Sequence, residues 1–276
     1  MKENIALYGF GYVGRAIFNF LKDHFAISIH DPVGLGGFSL KPPHLFFEKF
    51  EDLKPVKHAI LCVPTEMRED GSCDTGIVEN VIKKSKHEHY LIKSTVVPGT
   101  VARLAKETGK NLTFSPEFIG EGTYAVPHWR GYPHPTDMKL HEFHIFGGER
   151  KTAGEWVRIW QKVAGWAPKY VQTDSTTAEI VKYAENSYLA TQKMFFDQLY
   201  DIAQVHGSDY DAVRELLLLD GRVSPAVSII YPEKRGFGGK CLPKDVAGIV
   251  RHMESLGRDP HFFKAVLASN NKFKSN

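Results

Sequence analysis

Cysteine is scarce in this sequence, since only Cys62, Cys73 and Cys241 occur among 276 residues. They form no CxxC pair and no Cys/His spacing of the zinc-binding kind, so neither a disulfide framework nor a metal site is predicted. No apolar run approaches the roughly 18 residues that cross a membrane. The N-terminus enters a strand without a signal-peptide pattern. We therefore expect a soluble, cytoplasmic protein without a membrane partner.

An excess of charge of one sign is also missing: 35 Lys and Arg residues face 32 Asp and Glu residues, a net charge of +3. This is too little for a protein that binds nucleic acid by neutralising phosphates, although it allows an anionic small ligand. Hydrophobic residues at 42% and charged residues at 24% are ordinary globular values and argue against disorder or coiled coil. The length predicts about two domains.

Hydrophobic patterns divide the chain near residue 174. Before that point, helices alternate with short apolar strand candidates at 4–8, 26–30, 58–63, 89–94, 111–115, 143–147 and 169–172. Continuous apolar strands between helices predict a parallel sheet covered on both faces. The later residues predict helices at 175–206, 209–219, 224–230, 242–256 and 260–273. The predicted fold class is α/β, with a Rossmann-type doubly wound parallel sheet at 1–174 and an all-α domain at 175–276.

A GxGxxG motif follows the first predicted strand and opens a helix. Its residues are Gly9, Phe10, Gly11, Tyr12, Val13 and Gly14. Glycines allow the tight turn and the close approach of the backbone to a pyrophosphate, which the helix N-terminus attracts. Asp31, at the end of the second strand, would accept the ribose hydroxyls of NAD and repel the 2′-phosphate of NADP. A glycine turn without a ligand is the alternative.

Three further segments come directly after predicted parallel strands. They are Val63-Pro64-Thr65, Lys93-Ser94-Thr95 and Ser115-Pro116-Glu117. Open α/β sheets bind ligands at the carboxyl ends of their strands, so these segments are expected to converge on a cofactor and a substrate. Ordinary loops would explain each segment taken alone.

The long predicted helix carries Glu179, Lys182 and Asn186 at spacings that place them on one face. A lysine and an asparagine directed at the ligand edge of the sheet would offer a cation and an amide to a developing oxyanion. A solvated polar stripe explains the same spacing.

The stretch 235–245 has the most informative pattern, RGFGGKCLPKD. Pro243 suits the first turn of a helix, which places Cys241 at the helix N-terminus. There the dipole and the charges of Arg235, Lys240 and Lys244 would favour the thiolate. Asp245 faces the same side as Cys241, where it would bind a water or take a proton. Cys62 is interpreted as a small buried hydrophobe in a strand, and Cys73 as a residue of a polar loop.

Seven segments together resemble one known family, the UDP-glucose dehydrogenases and related nucleotide-sugar dehydrogenases. They are GFGYVG (9–14), VPT with EDGSCDTGIVE (63–79), KSTVVPGT (93–100), SPEFIGEG (115–122), AEIVKYAENSYLA (178–190), DGRV (220–223) and GFGGKCLPKD (236–245). The resemblance implies an NAD-dependent, two-step oxidation of the C6 alcohol of a nucleotide sugar to a carboxylate. The aldehyde would be held as a thiohemiacetal and then as a thioester.

The resemblance also implies a role for individual residues. Cys241 resembles the nucleophile, and Lys182 and Asn186 resemble the groups that stabilise the C6 oxyanion. Asp245 resembles the residue that assists the lysine and positions water. The remaining implied positions are Thr95 and Glu121 for acid/base chemistry, water and cofactor, Glu117, Phe118, Phe237 and Gly238 for the substrate, and Arg222, which would reach the site across a homodimer interface of the helical domain.

Two parts of the chain depart from the family pattern. The segment between Asp31 and Ala59 is short, whereas 124–144 is lengthened and rich in aromatic residues, His and Pro, as a substrate lid or a packed surface loop would be. The last residues resemble the helix that leads into a third domain, so we expect the domain that binds UDP to be missing.

Two other functions stay open. One is a single-step hydroxyacid dehydrogenase of the Rossmann-plus-helical type, which needs no cysteine. The other is a non-catalytic dinucleotide-binding subunit whose partner supplies the missing domain. The sugar is also open: UDP-glucose comes first, and GDP-mannose and UDP-N-acetyl sugars are not excluded.

Overall fold

The computed structural model describes residues 2–119 and 137–274. The chain forms two compact units. The first contains Met1–Glu66 and Asp74–Lys182, and the second contains Met67–Cys73 and Tyr183–Asn276. This division falls inside a helix that begins at Ser175, so the domain boundary at residue 174 stays a prediction.

The first unit is built on a sheet of eight strands. They are β1 (Asn4–Tyr8), β2 (Ala26–His30), β3 (Leu45–Phe47), β4 (His58–Leu61), β5 (His89–Ile92), β6 (Asn111–Phe114), β7 (Phe143–Gly148) and β8 (Lys169–Thr173), in the spatial order β3-β2-β1-β4-β5-β6-β7-β8. The first six strands are parallel, in the order of a dinucleotide-binding Rossmann fold. Their carboxyl ends therefore share one edge of the sheet.

The sheet departs from the sequence-based expectation at two strands. β7 pairs antiparallel with β6, so the expectation of a wholly parallel sheet is wrong at this pair. A hydrophobic run predicts a strand but not its direction, which explains the error. β3 was missed because it is an edge strand of three residues, too short to show a period.

Helices cover both faces of the sheet. They are α1 (Tyr12–Leu21), α2 (Gly76–Lys84), α3 (Thr100–Thr108) and α4 (Arg150–Ala164). Alternate residues of β1 point to opposite faces, as the strand period requires. Ile5 and Leu7 share a buried cluster with the apolar residues of α1 and α4, and Ala6 and Tyr8 share another with those of α2 and α3. Burial on both faces is why these strands read as continuous apolar runs.

The second unit is helical. Its helices are α5 (Ser175–Val205, which begins in the first unit), α6 (Tyr210–Leu217), α7 (Leu242–Ser255) and α8 (His261–Lys274). A short hairpin closed by the bridge between Met67 and Cys73 packs on α7, where the Arg251 side chain donates a hydrogen bond to the Asp70 carbonyl. Of the helices in the described ranges, none has the length and apolarity needed to cross a membrane.

The helix predicted at 224–230 is wrong. The segment forms a turn in which the Ser228 N–H donates to the Pro225 carbonyl at 3.3 Å, and Val227 has a positive φ of 52°. The Tyr210 hydroxyl donates to the Ser228 carbonyl at 2.6 Å and ties the turn to α6. The apolar spacing of this segment therefore comes from turn residues that pack on a neighbouring helix.

Candidate active site

The turn from Gly9 to Gly14, called here the glycine turn, is fixed by close backbone packing. Gly9 has φ +88°, and a Cβ there would lie 2.5 Å from the Cys62 carbonyl oxygen. A Cβ on Gly14 would lie 2.1 Å from the Gly9 carbonyl oxygen. Gly11, in contrast, has no atom within 4 Å of its Cβ position. The turn is therefore packed at both ends and open in the middle.

The N-terminus of α1 is suited to an anion. No side chain caps it, and its first turn carries no acidic residue. The first N–H groups of a helix have no partner within the helix, and the helix dipole adds partial positive charge. With Gly11 leaving space in front, this end of α1 has the chemistry that holds a phosphate.

Asp31 binds the glycine turn directly. Its Oδ2 accepts a hydrogen bond from the Phe10 N–H at 2.6 Å, and its Oδ1 accepts one from the Val33 N–H at 2.8 Å. The carboxylate is partly exposed and keeps acceptor capacity. Arg15, which the motif did not predict, donates to the carbonyls of Phe10 and Leu35, both at 3.1 Å. The turn is thus linked to the segment that follows β2.

The predicted strand-end segments are linked to one another. The Ser94 hydroxyl donates to the Val63 carbonyl at 2.7 Å, which joins the ends of β4 and β5. Thr65 is buried, and Thr95 is partly buried. Val63, Pro64, Thr65 and Thr95 thus lie on the same sheet edge as the glycine turn, as predicted from strand order.

Lys93, the first residue of the predicted segment Lys93-Ser94-Thr95, is a buried cation at the end of β5, and no individual role was predicted for it. Its ammonium lies 3.1 Å from the Glu117 carboxylate and donates to the Ser115 hydroxyl at 3.1 Å. The other Glu117 oxygen accepts the N–H groups of Phe118 and Ile119, at 2.9 and 3.1 Å. Glu117, predicted to line the substrate site, is therefore held in a buried ion pair. The signal was present, because Lys93 directly follows an apolar strand.

Lys182 lies above an aromatic ring. Its ammonium is 5.4 Å from the centroid of Phe118, which packs edge-on against Phe143. A cation over a ring face is stabilised by the ring quadrupole, the more so where water is excluded, and Lys182 is buried. The ion pair of Lys93 and Glu117 therefore fixes the segment whose ring contacts Lys182.

Glu179 has a different role from the one its spacing predicted. Its two carboxylate oxygens accept the N–H groups of Gly99 and Val101 at 2.6 and 2.8 Å, at the N-terminus of α3. Complete burial raises the pKa of this carboxyl to about 7, and the two backbone hydrogen bonds oppose that shift. Glu179 thus caps α3 within the first unit, and its burial excludes it from the solvated polar stripe that was the alternative explanation.

Two predicted features lie wholly or partly outside the described residues. Glu121 is outside them, as are residues 124–136 of the lengthened segment. The part of that segment from 137 to 144 forms a short 3₁₀ turn, Met138–Leu140, and the start of β7. The choice between a lid and a packed surface loop thus remains a prediction.

In the second unit, Cys241 is exposed and occupies the N-cap position of α7. Asp245 lies one helical turn later and is buried, and its N–H donates to the Cys241 carbonyl at 2.9 Å. Its carboxylate accepts the side-chain amide of Asn186 at 2.5 Å and the ammonium of Lys244. Asn186, Asp245 and α7 therefore form one connected group, and the charge of Lys244 is paired with Asp245.

The loop Gly236–Gly239, called here the glycine loop, leads into Cys241. Arg235, which precedes it, is ion-paired with Asp197 at 3.1 Å and with Asp201 at 2.6 Å, so its charge is compensated, contrary to the expectation that it acts on the cysteine. Phe237 is buried in the core of the unit, which assigns its side chain to packing instead of the predicted substrate contact. Gly239 has φ +74° and no atom within 4 Å of its Cβ position, so the loop is open there.

The remaining predicted residues have simple surroundings. Arg222 is exposed in the turn after α6 and pairs with Asp220 at 2.5 Å. Cys62 lies under the glycine turn, and burial raises the pKa of its thiol. Cys73, predicted to lie in a polar loop, is buried in the hairpin on α7. Over the residues that the structure describes, no three His, Cys, Asp or Glu side chains are grouped as a metal site would require.

A Rossmann sheet with an open glycine turn, followed by a helical unit, is the architecture of the Rossmann-plus-helical dehydrogenases. Residues 176–272 match the UDP-glucose/GDP-mannose dehydrogenase family, central domain. The predicted fold class and the predicted relationship to the nucleotide-sugar dehydrogenases are thereby confirmed.

Individual relatives agree with this relationship. The UDP-glucose 6-dehydrogenase of Rickettsia felis is 30% identical over 236 residues, which are 82% of this chain and 50% of that protein. The structure of a UDP-glucose dehydrogenase from Pyrobaculum islandicum is 25% identical, with TM-score 0.79, over 99% of this chain and 68% of that one. The chain spans about half the length of the curated relatives it matches.

The fold extends to a second group of dehydrogenases. The structure of a 3-hydroxyisobutyrate dehydrogenase from Mycobacterium tuberculosis matches with TM-score 0.72 over 100% of this chain and 95% of that one. Its sequence identity of 15% makes this a likeness of fold alone. Fold therefore does not decide between a nucleotide sugar and a small hydroxyacid as the substrate. That choice depends on the side chains of the site.

Proposed function

We propose that this chain oxidises the C6 alcohol of a nucleotide sugar, UDP-glucose first, to a carboxylate with NAD. The supporting observation is the exposed Cys241 at the N-cap of α7, one turn before the buried Asp245 that Asn186 holds. A single hydride transfer needs no nucleophile, whereas oxidation past the aldehyde gains from a covalent thiol adduct. Both the match of the helical unit to the family and the cysteine favour the two-step reaction.

The residues of the glycine turn fit NAD. The open face of Gly11 and the uncapped N-terminus of α1 would hold the pyrophosphate. Asp31 would accept the ribose hydroxyls, and its negative charge would repel a 2′-phosphate. Strand-end residues Val63, Pro64, Thr65 and Thr95 lie at the same edge and would complete the cofactor site together with Glu121. NAD would supply the hydride acceptor, and two NAD molecules bound in turn would each accept one hydride.

The remaining catalytic roles belong to individual side chains. The cation of Lys182 and the amide of Asn186 would stabilise the oxyanion that forms at C6. The Cys241 thiolate adds to the aldehyde carbon to give a thiohemiacetal, and its oxidation leaves a thioester. Water then displaces the thiol and gives the carboxylate and free Cys241. Asp245 would position that water, and Thr95 and Glu121 would handle protons. Glu117 would act indirectly, by holding the backbone of Phe118, whose ring contacts Lys182.

A homodimer through the helical unit belongs to the same proposal. Tyr188, Phe195 and Ile202 follow one another at intervals of seven residues on α5, and each is more than half exposed. An apolar side chain every seven residues marks a helix face that packs against another helix. Arg222, exposed beside α6, would then be free to reach the partner's site.

An NADH-release assay tests the proposal. UDP-glucose, GDP-mannose and UDP-N-acetyl sugars are each offered at high concentration with NAD, and we expect turnover with at least one. Cys241→Ser should reduce the complete oxidation on the order of 10³-fold. Cys73→Ala, which removes a thiol elsewhere, should retain turnover.

Three results would contradict the proposal. A Cys241→Ser protein at full rate would show that the cysteine is not the nucleophile. Turnover of small hydroxyacids in place of nucleotide sugars would favour the single-step dehydrogenase. NAD binding without any turnover would favour a subunit that depends on a partner.

A further inference from the structure

We infer that Arg235 is a positioning residue that holds the glycine loop in a preformed, substrate-ready shape ahead of Cys241. The inference rests on the proposed function, because that function makes the glycine loop part of the substrate site. It goes beyond the family segment GFGGKCLPKD, which begins at Gly236, and it replaces the expectation that Arg235 acts through its charge on the cysteine.

Arg235 is fastened from several directions. Its Nε donates to the Asp197 carboxylate at 3.1 Å, one terminal nitrogen donates to Asp201 at 2.6 Å, and the other donates to the Asp197 carbonyl at 2.6 Å. The guanidinium carbon lies 4.9 Å from the ring centroid of Tyr200 and 4.6 Å from that of Phe273. A planar, forked cation suits such a site, and a lysine would reproduce only part of it.

Asp197 connects Arg235 to the loop itself. The carboxylate is completely buried and accepts the Gly236 N–H at 3.1 Å as well as the Lys193 ammonium at 2.8 Å. A buried carboxylate is stable only with such partners. Removing Arg235 would therefore disturb the same carboxylate that binds the first residue of the loop.

The next residue is held from α8. The Phe237 N–H donates to the Asn270 side-chain carbonyl at 2.6 Å. A Cβ on Gly236 would lie 2.7 Å from that same oxygen, and Gly236 has φ +75°, so the backbone is pressed against the asparagine. Two successive N–H groups of the loop are thus bound to side chains of α5 and α8.

The other side of the loop is open. Gly239 has no atom within 4 Å of its Cβ position, and Gly238 has only the Lys274 ammonium, at 3.8 Å. The loop therefore has one anchored side and one accessible side, just before Cys241. A loop ordered in advance binds its ligand at a smaller entropic cost. Loss of the anchor should weaken substrate binding more than it alters the cysteine chemistry.

The test compares the wild-type chain with Arg235→Met, Arg235→Lys and the control Arg214→Met. Arg214 is also a mostly buried arginine of the helical unit, and its ion pairs are with Asp211 at 3.0 Å and Glu215 at 3.6 Å, neither of which belongs to the glycine loop. Two readouts need no substrate: amide hydrogen exchange of Gly236 and Phe237, and the rate at which iodoacetamide alkylates Cys241.

We expect the two amides to exchange at least about tenfold faster in Arg235→Met, with an intermediate effect in Arg235→Lys. The α7 amides and the Cys241 alkylation rate should change little. In steady-state kinetics, the KM for the nucleotide sugar should rise about tenfold, while the KM for NAD stays unchanged. Arg214→Met should match the wild type in all of these.

Unchanged exchange at Gly236 and Phe237 in folded Arg235→Met would overturn the inference. Equal effects of Arg214→Met would also overturn it, because the change would then be general destabilisation. If Arg235→Met does not fold, hydrogen exchange of the same two amides in Arg235→Lys decides whether the inference holds. A wild type without turnover would refute the proposed function. The exchange data would still show whether Arg235 anchors the glycine loop.

Discussion

The glycine turn at Gly9–Gly14 and the glycine loop at Gly236–Gly239 use the same residue type for different reasons. In the turn, a Cβ at Gly9 or Gly14 would meet backbone oxygens at 2.5 and 2.1 Å. In the loop, the backbone is held by the side chains of Asp197 and Asn270. The turn is thus shaped by steric fit within one local motif, and the loop by partners far away in sequence.

Each segment also has a carboxylate that accepts one of its N–H groups. Asp31 accepts from Phe10 at 2.6 Å and is partly exposed, whereas Asp197 accepts from Gly236 at 3.1 Å and is completely buried among cations. A carboxylate in contact with solvent can bind a ligand as well as the loop. A buried one can only hold the loop. The same contact therefore indicates a binding residue in one unit and an anchor in the other.

The largest effect is expected for Gly14→Ala. The added methyl group would lie 2.1 Å from the Gly9 carbonyl oxygen, which is backbone and cannot swing away. Overpacking of this kind should lower the free energy of unfolding by at least about 3 kcal/mol. Urea denaturation followed by circular dichroism measures the change.

Gly11→Ala is the matched control for the steric argument. Its Cβ position has no atom within 4 Å, so the free energy of unfolding should change by less than about 0.5 kcal/mol. NAD affinity should nevertheless fall, because the methyl group occupies the space in front of α1. A Gly11→Ala protein that is as unstable as Gly14→Ala would contradict the picture of a turn packed only at its ends.

A third carboxylate sharpens the comparison through its pH dependence. Glu179 binds two N–H groups of the α3 N-terminus, and burial raises its pKa from 4.5 to about 7. The folded state therefore holds this proton more tightly than the unfolded state does. The resulting stability is present below pH 4.5 and is lost as the pH rises through 7, by on the order of 3 kcal/mol.

Glu179→Gln isolates this effect. Burial lowers the pKa of His87 to about 4 and of His144 to about 3, so these groups make the fold more stable as the pH rises and oppose Glu179. The difference in unfolding free energy between wild type and Glu179→Gln removes the histidine contribution. Between pH 5 and pH 8 the wild type should lose stability relative to Glu179→Gln. A difference that stays constant with pH would refute the assignment.

A modest effect, confined to cofactor binding, is expected for Asp31→Asn. The amide oxygen can still accept the Phe10 N–H, so the fold should be retained. NAD affinity should fall about tenfold, and the preference for NAD over NADP should fall with it, because the negative charge is gone. Fluorescence titration with both cofactors measures this. Asp52→Asn, in an exposed turn of the same unit, should leave both affinities unchanged.

Much of the fold was predictable because its signals are local. Strands buried on both faces read as apolar runs, and GxGxxG placed the turn before α1. The direction of β7 and the three-residue strand β3 were not predictable, since period carries no direction and Leu45–Phe47 is too short. The apolar residues around Pro225 have a spacing that predicts a helix, although the segment forms a turn.

The candidate site divides in the same way. Cys241 at the start of α7 followed from Pro243 and the glycines before it, which are adjacent in sequence. The pairing of Lys93 with Glu117, the cap that Glu179 provides and the anchoring of Arg235 join residues that are distant in sequence. A single sequence shows that such residues are charged, but not which partner compensates them.

The most direct test of the central claim is the stoichiometry of a complete reaction. A limiting amount of UDP-glucose, or of whichever nucleotide sugar supports turnover, is consumed with excess NAD, and NADH and the sugar product are both measured. The account predicts two NADH for each sugar consumed and a uronate product. One NADH for each substrate, with an aldehyde or ketone as the product, would contradict it.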